Sequence, residues 1–175
     1  MQTKTMSQTG WLILSALFAA MTAVCAQVIL PIGAVPVSLS LLPVFLCGLI
    51  LPPRYAVLSM TAYLLLGLCG VPVFSGFEGG PGKLFGVTGG YLMGYLPCVW
   101  LASWVVRRHG KQWKSMTLGM TAGLLACYAL GTVWFMVTKH TGLWASLSIC
   151  VLPFLPFDAG KIVLALAIRK ALRDP

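Results

Sequence analysis

Long apolar stretches, broken by proline, glycine and clustered basic residues, leave this chain few places to fold except in lipid. They run from about Trp11 to Leu30, Ser38 to Leu51, Tyr55 to Leu68, Thr88 to Val106 and Met116 to Val137. A short apolar piece, Leu143 to Leu152, then leads into a last one from about Phe157 to Leu172. A hydrocarbon core is crossed by about 20 helical residues, so a chain of this length holds roughly six spans and no separate soluble domain. Composition agrees: the chain is 59% hydrophobic and 9% charged, with a mean hydropathy of +0.93. Soluble domains average about 45–50% apolar and about 25% charged residues. The expectation is an all-α integral membrane protein with six transmembrane helices. The first apolar run resembles a signal peptide, but it exceeds the usual core of about 7–15 residues and further spans follow, so it is read as structure.

The formal charge of +9 raises the possibility of a nucleic-acid partner, and its distribution argues against one. Lys4, Arg54, Arg107, Arg108, Lys111, Lys114, Arg169, Lys170 and Arg173 stand at span ends, with no basic stripe interleaved with aromatics. With the N-terminus inside, these nine of the twelve Lys and Arg face the cytoplasm, Lys83 and Lys139 face out, and Lys161 lies within the last helix. Positive residues concentrate on the cytoplasmic side, so the count favours an N-in, C-in topology. His109 and His140 fall at span ends and read as interfacial side chains.

Against this background "PFLPFDAGK" (153–161) stands out, because Asp158 is one of only three acidic residues in the chain. Pro156 suits the first turn of a helix, and residues three apart share a helix face. Asp158 and Lys161 therefore point into one place near the outer end of the last span. Two readings stay open: an ion pair that only neutralises itself, or a functional site, since ionisable groups within membrane segments are costly.

The segment "GVPVFSGFEGGPGKLFGVTGGYLMGY" (70–95) invites comparison with a phosphate-binding loop, and the comparison fails. Phe77 stands where glycine is needed and Leu84 where Ser or Thr is needed, and no strand is expected before it. Binding of ATP by this chain is not expected. Gly76, Gly79, Gly80 and Gly82 permit tight turns, and Phe74, Phe77 and Phe85 add aromatic faces, so an extracellular lid between the third and fourth helices fits better. Gly86, Gly90 and Gly94 recur every four residues, as do Gly119, Gly123, Cys127 and Gly131. Such ridges let helices approach closely in lipid. The first span carries Ala16 with Ala20, and Ala19 with Ala23, at the same spacing; whether their partner is internal or a separate protein the spacing leaves open. The six cysteines (Cys25, Cys47, Cys69, Cys98, Cys127, Cys150) show no C-x-x-C pair and no histidine cluster, and read as packing residues rather than a metal site.

"VPVSL" (35–39), "GLCGVPVFSGFEGGPGKLFGVTGGYLMGY" (67–95) and "VLPFLPFDAGKIVLA" (151–165) together resemble the BioY family, the biotin-specific substrate-binding components of energy-coupling factor (ECF) vitamin transporters. The likeness covers nearly the whole chain and rests on the combination and order of these pieces. Val87 stands where the family commonly has proline, Phe157 where it commonly has glycine, and Ser40 where it often has glutamine. The resemblance implies one transmembrane substrate-binding domain over residues 1–175 that captures biotin from outside in a bacterial or archaeal cytoplasmic membrane. Biotin is then a transported ligand and no cofactor is implied. It implies partners as well: a transmembrane coupling protein, docked on the alanine face of Ala16, Ala19, Ala20 and Ala23, and two cytoplasmic ATPases. The whole component would tilt in the bilayer to carry its ligand inward. Expected substrate-binding residues are Asp158, Lys161, Phe74, Thr88, Gly89, Tyr91, Tyr95 and Ser40.

Biotin offers two ureido N–H donors, a carbonyl acceptor, an apolar ring and a carboxylate. Asp158 can accept from the ureido group, while Lys161 can donate to the carbonyl or pair with the carboxylate. Three rival readings remain: a component for another vitamin, an intramembrane enzyme using Asp158 and Lys161 as acid and base, and a structural subunit. The enzyme reading lacks a second carboxylate, a serine–histidine pair or a metal set.

Overall fold

The computed structural model describes residues 7–30, 37–110 and 112–172. Among the described residues the fold is helical apart from one minimal β-ribbon and an isolated bridge between Phe74 and Glu78. Helix α1 (Gln8–Ala26) starts at Ser7, whose hydroxyl accepts from the Gly10 amide at 3.2 Å; an N-cap of this kind satisfies one of the amides a helix start leaves orphaned. The helix stops four residues earlier than the apolar run. Ile29–Leu30 (β1) and Val37–Ser38 (β2) instead pair antiparallel, Ile29 opposite Ser38 and Leu30 opposite Val37. Apolar character alone does not separate the end of a helix from a strand, and β-branched Ile29 and Val37 suit the ribbon. The break expected at Pro31, Gly33 and Pro36 lies outside the described residues, as do Lys4, Lys111 and Arg173.

Helix α2 (Leu41–Ile50) is apolar all round and buried from Leu41 to Leu49, the signature of a central helix. Its 10 residues rise only about 15 Å, roughly half a hydrocarbon core. Pro52 and Pro53 end it and open α3 (Pro53–Leu68), with Pro53 in the first turn. The glycine-rich connection contains the four-residue helix α4 (Pro81–Leu84). The fourth expected span is two helices, α5 (Gly89–Met93) and α6 (Tyr95–His109), meeting at Gly94. Helix α7 (Trp113–Lys139) follows, then α8 (Leu143–Cys150) and α9 (Leu155–Ala171).

By length and composition three described segments can cross a membrane: Gln8–Ala26, Gly89–His109 and Trp113–Lys139. The pair α8 and α9, bent by 50°, raises this to four if it counts as one broken span. Helix α2 is shorter than the expected Ser38–Leu51 run, whereas the 16-residue α3 starts two residues before the expected Tyr55 and ends with it at Leu68.

The glycine ridge of α7 packs internally. A Cβ at Gly119 would come within 2.9 Å of the Ala102 carbonyl, and one at Gly123 within 2.6 Å of the Cys98 carbonyl, so α6 and α7 touch backbone to backbone. On the α5–α6 side, Gly94 lies where a Cβ would meet Cys127 Sγ at 2.8 Å, and one at Gly90 would overlap Trp134. Gly86 departs from the ridge: it belongs to the α4–α5 connection, and its carbonyl accepts from Trp134 Nε1 at 2.9 Å.

The alanines of α1 divide between two faces. Ala16 and Ala20 are exposed beside Ile13 and Leu17, whereas Ala19 is buried and Ala23 half-buried against the core. Ala19 therefore presents no surface to a partner. Two four-residue pairs offset by three positions lie on neighbouring faces, and the inner face is taken by α3, where Ser15 donates to the Tyr55 carbonyl and Ser59 to the Ser15 carbonyl.

The glycine-rich loop is fastened to the end of α1. Gln27 Nε2 donates to the Phe74 carbonyl at 3.1 Å, and the Phe77 amide donates to Gln27 Oε1 at 2.8 Å. Gly76 and Gly80 have φ of 82° and 87°, the left-handed region that glycine enters at no steric cost. Gly79 is required by proximity instead, since a Cβ there would approach the Val71 carbonyl at 2.5 Å.

Candidate functional site

Five parts of the chain converge on one cavity: the turn from β2 into α2, the glycine-rich loop, the α5–α6 span, the middle of α7, and the α8–α9 bend. It offers about 100 Å³ to the centres of water-sized spheres. One water needs about 10–15 Å³ by that measure, so the space suits a small organic molecule rather than a lone ion.

The polar wall is built around α9. Pro156 sits in its first turn, and Asp158 and Lys161 share its inner face, 3% and 7% exposed. Lys161 Nζ donates to Asp158 Oδ1 at 2.7 Å, so the self-neutralising pair does form. It is not self-contained. Tyr128 on α7 donates to Asp158 Oδ2 at 2.5 Å, and Lys161 Nζ donates to the Ser38 carbonyl of β2 at 2.8 Å. From Ser38 the network continues through its hydroxyl to Ser40 Oγ at 2.6 Å, and from there to the Tyr95 hydroxyl, also at 2.6 Å. The β-ribbon thus has a function that the helical reading of 29–30 hid: it carries Ser38 to the lysine.

An ammonium has three N–H donors, and the two bonds above leave Lys161 one for a ligand. Asp158 is held on both oxygens and keeps further lone pairs. A buried ion pair is weak evidence for stability, because desolvation offsets its Coulomb energy. Its place in a cavity wall, with three elements fixing its geometry, makes it the candidate recognition site.

Aromatic rings supply the apolar wall. Phe74 is fully buried, edge-on to Tyr63 at 5.5 Å, and lies over Gly67, where a Cβ would overlap its ring. Tyr63 stacks in turn on Tyr95 at 6.4 Å. Tyr91 lies against Gly131 of α7 and its hydroxyl is 3.4 Å from Thr132 Oγ1.

Of the eight residues expected to bind substrate, seven line the cavity: Asp158, Lys161, Phe74, Thr88, Tyr91, Tyr95 and Ser40. Gly89 does not. A Cβ at Gly89 would run into the Leu84 carbonyl, so this glycine lets the α4–α5 turn close and has no face on the cavity. Sequence reasoning missed Tyr128, Ser38 and Lys83, as well as Cys127 and Cys150, which it treated as packing residues. A tyrosine hydroxyl inside an apolar span was a usable signal for Tyr128, since a buried hydroxyl needs a partner. All six cysteines are free thiols, and among the described residues no group of three or more His, Cys, Asp or Glu is placed to hold a metal.

Tyr128→Phe should lower affinity for the cavity's ligand by roughly tenfold, because Asp158 loses the donor that holds its carboxylate in place in the cavity wall, with little change in folded yield. A binding isotherm on the purified variant checks this; unchanged affinity would make Tyr128 a spectator.

A bundle of apolar helices around a buried polar plate and an aromatic-walled cavity defines a multi-pass membrane protein that holds a small solute. Residues 1–174 match the BioY family, and the chain belongs to that family. It is 36% identical over 160 residues to a probable biotin transporter BioY of Pyrococcus horikoshii, covering 91% of this chain and 94% of that protein. With the biotin transporter BioY of Thermotoga maritima it shares 34% identity over 165 residues, 93% of this chain and 95% of the relative. Its fold is similar to a crystal structure of the S-component for biotin from an ECF-type ABC transporter, with a TM-score of 0.88 and 27% identity over 97% of this chain and 95% of that one.

Proposed function

We propose that this protein captures biotin at the outer face of a cytoplasmic membrane and serves as the substrate-specific component of an ECF-type transporter. The observation that carries the reading is the Tyr128–Asp158–Lys161–Ser38 cluster in the wall of an aromatic cavity, in a chain of the BioY family. Its donor and acceptor inventory fits the ureido ring. Asp158 accepts from ureido N–H, and the remaining Lys161 N–H donates to the ureido carbonyl. Both are charge-assisted bonds, the stronger class. Phe74, Tyr91 and Tyr95 enclose the ring and the start of the chain, and Thr88 adds a hydroxyl at the rim. The domain spans the whole chain, residues 1–175.

The proposal includes six membrane crossings with both termini inside: α1, α2, α3, α5 with α6, α7, and α8 with α9. The short α2 is one of these crossings, and the bent α8–α9 pair crosses as one broken span. Irregular backbone is tolerated at membrane depth where it lines a cavity, and this cavity lies at both breaks. Energy comes from partners, a coupling protein docked on α1 and two ATPases, since the 70–95 segment lacks a nucleotide-binding pattern. The protein itself is not an enzyme and needs no cofactor.

Radiolabelled biotin binding to the purified protein, without partners, tests the reading. Saturable binding displaced by unlabelled biotin and not by other vitamins is expected. Displacement by a different vitamin at lower concentration would assign the cavity to that molecule.

A further inference from the structure

We infer that Lys83 is the counter-ion for the ligand's carboxylate, released for that purpose from Glu78. The inference rests on the biotin reading and deepens it. Among the described residues, the charged groups lining the cavity are Lys83, Asp158 and Lys161. Asp158 and Lys161 neutralise each other at 2.7 Å, so that wall is electrically suited to a neutral group such as a ureido ring. An anionic ligand still needs a cation, because a carboxylate leaving water for a low-dielectric site is costly unless paired. Lys83 supplies it.

Lys83 lies in α4, within the glycine-rich loop, and its side chain is 25% exposed. It pairs with Glu78 at 2.5 Å, whose side chain is 54% exposed and does not line the cavity. The two ion pairs are thus unequal. The inner one is buried and tied to two further elements. The outer one is half in water, where such a pair contributes little, so exchanging Glu78 for a ligand carboxylate is nearly free and returns Glu78 to solvent. Glu78 also closes the loop through its carbonyl, which accepts from the Phe74 amide at 2.9 Å; the backbone can hold while the side chain lets go. A ligand with a neutral head and an anionic tail is then read from both ends, by α9 at the head and by α4 at the tail.

The test compares biotin with biotin amide, which keeps the head and loses the tail charge, on the full-length protein and its Lys83→Met, Lys83→Arg and Glu78→Gln variants. Expected is that the wild type prefers biotin and that Lys83→Met weakens biotin by about tenfold to a hundredfold while leaving the amide within about twofold. Lys83→Arg should keep the preference, and Glu78→Gln should bind biotin at least as tightly as the wild type. The ratio of the two ligands on one sample is independent of how much protein is folded. Equal losses for both ligands in Lys83→Met, or no loss for either, would overturn the assignment alone. A wild type that binds neither ligand would overturn the biotin reading with it.

Discussion

Loss of biotin binding by at least a hundredfold is the result expected for the double Asp158→Asn, Lys161→Met variant, with the protein still folded and inserted. Two charge-assisted bonds to the ligand disappear, each worth about 1.5–3 kcal/mol. Single variants do not decide the matter. Asp158 and Lys161 are both buried and 2.7 Å apart, so removing either strands the other charge, a penalty of about 3–5 kcal/mol that falls on the fold. The double variant removes both charges together. The asparagine carbonyl can still accept from Tyr128, and methionine fills the lysine stem's volume, leaving the Ser38 carbonyl as the one group that loses its partner. Folding is read by monodispersity in detergent and affinity by a biotin isotherm. Near-native affinity would make the cluster a structural clamp between α9, α7 and the β-ribbon.

The second large effect lies on α1, outside the cavity wall. Ala20→Trp should abolish ATP-driven uptake while biotin binding by the isolated protein stays within about twofold. Ala20 is exposed on α1, beside Ala16 and Leu17 and turned away from the core, and close helix approach in lipid depends on small side chains at the contact. An indole there holds a partner helix off without disturbing the cavity, which α1 does not line. Ala19→Trp is the contrasting variant: Ala19 is buried, so overpacking should destabilise the protein itself by about 1–3 kcal/mol. The measurements are uptake in vesicles with the complete complex and co-purification of the coupling protein. Unchanged co-purification with Ala20→Trp would move the docking surface elsewhere.

Much of this protein was determined by sequence alone. Lipid as solvent follows from apolar runs that water cannot accommodate. The shared face of Asp158 and Lys161 follows from the 3.6-residue helical period, which holds whatever else the chain does. The internal ridge at Gly119, Gly123 and Gly131 follows from the same period, since small residues spaced by four leave a groove for a neighbour, filled by the backbone of α6 at Gly119 and Gly123 and by the Tyr91 ring at Gly131. Tertiary structure decided the rest, because the quantities involved are distances between residues far apart in the chain. Tyr128 meets Asp158 across 30 positions and Ser38 meets Lys161 across 123, and nothing local encodes either meeting. Ile29 and Leu30 left the helix for a ribbon because strand pairing depends on a partner, and apolarity does not distinguish the two outcomes. Ala19 and Ala20 look alike in sequence and were separated only by which face of α1 the third helix covers. Gly89 kept its importance and changed its reason, from a place for ligand to a place for the Leu84 carbonyl, since only packing tells which neighbour occupies the space a side chain would have filled.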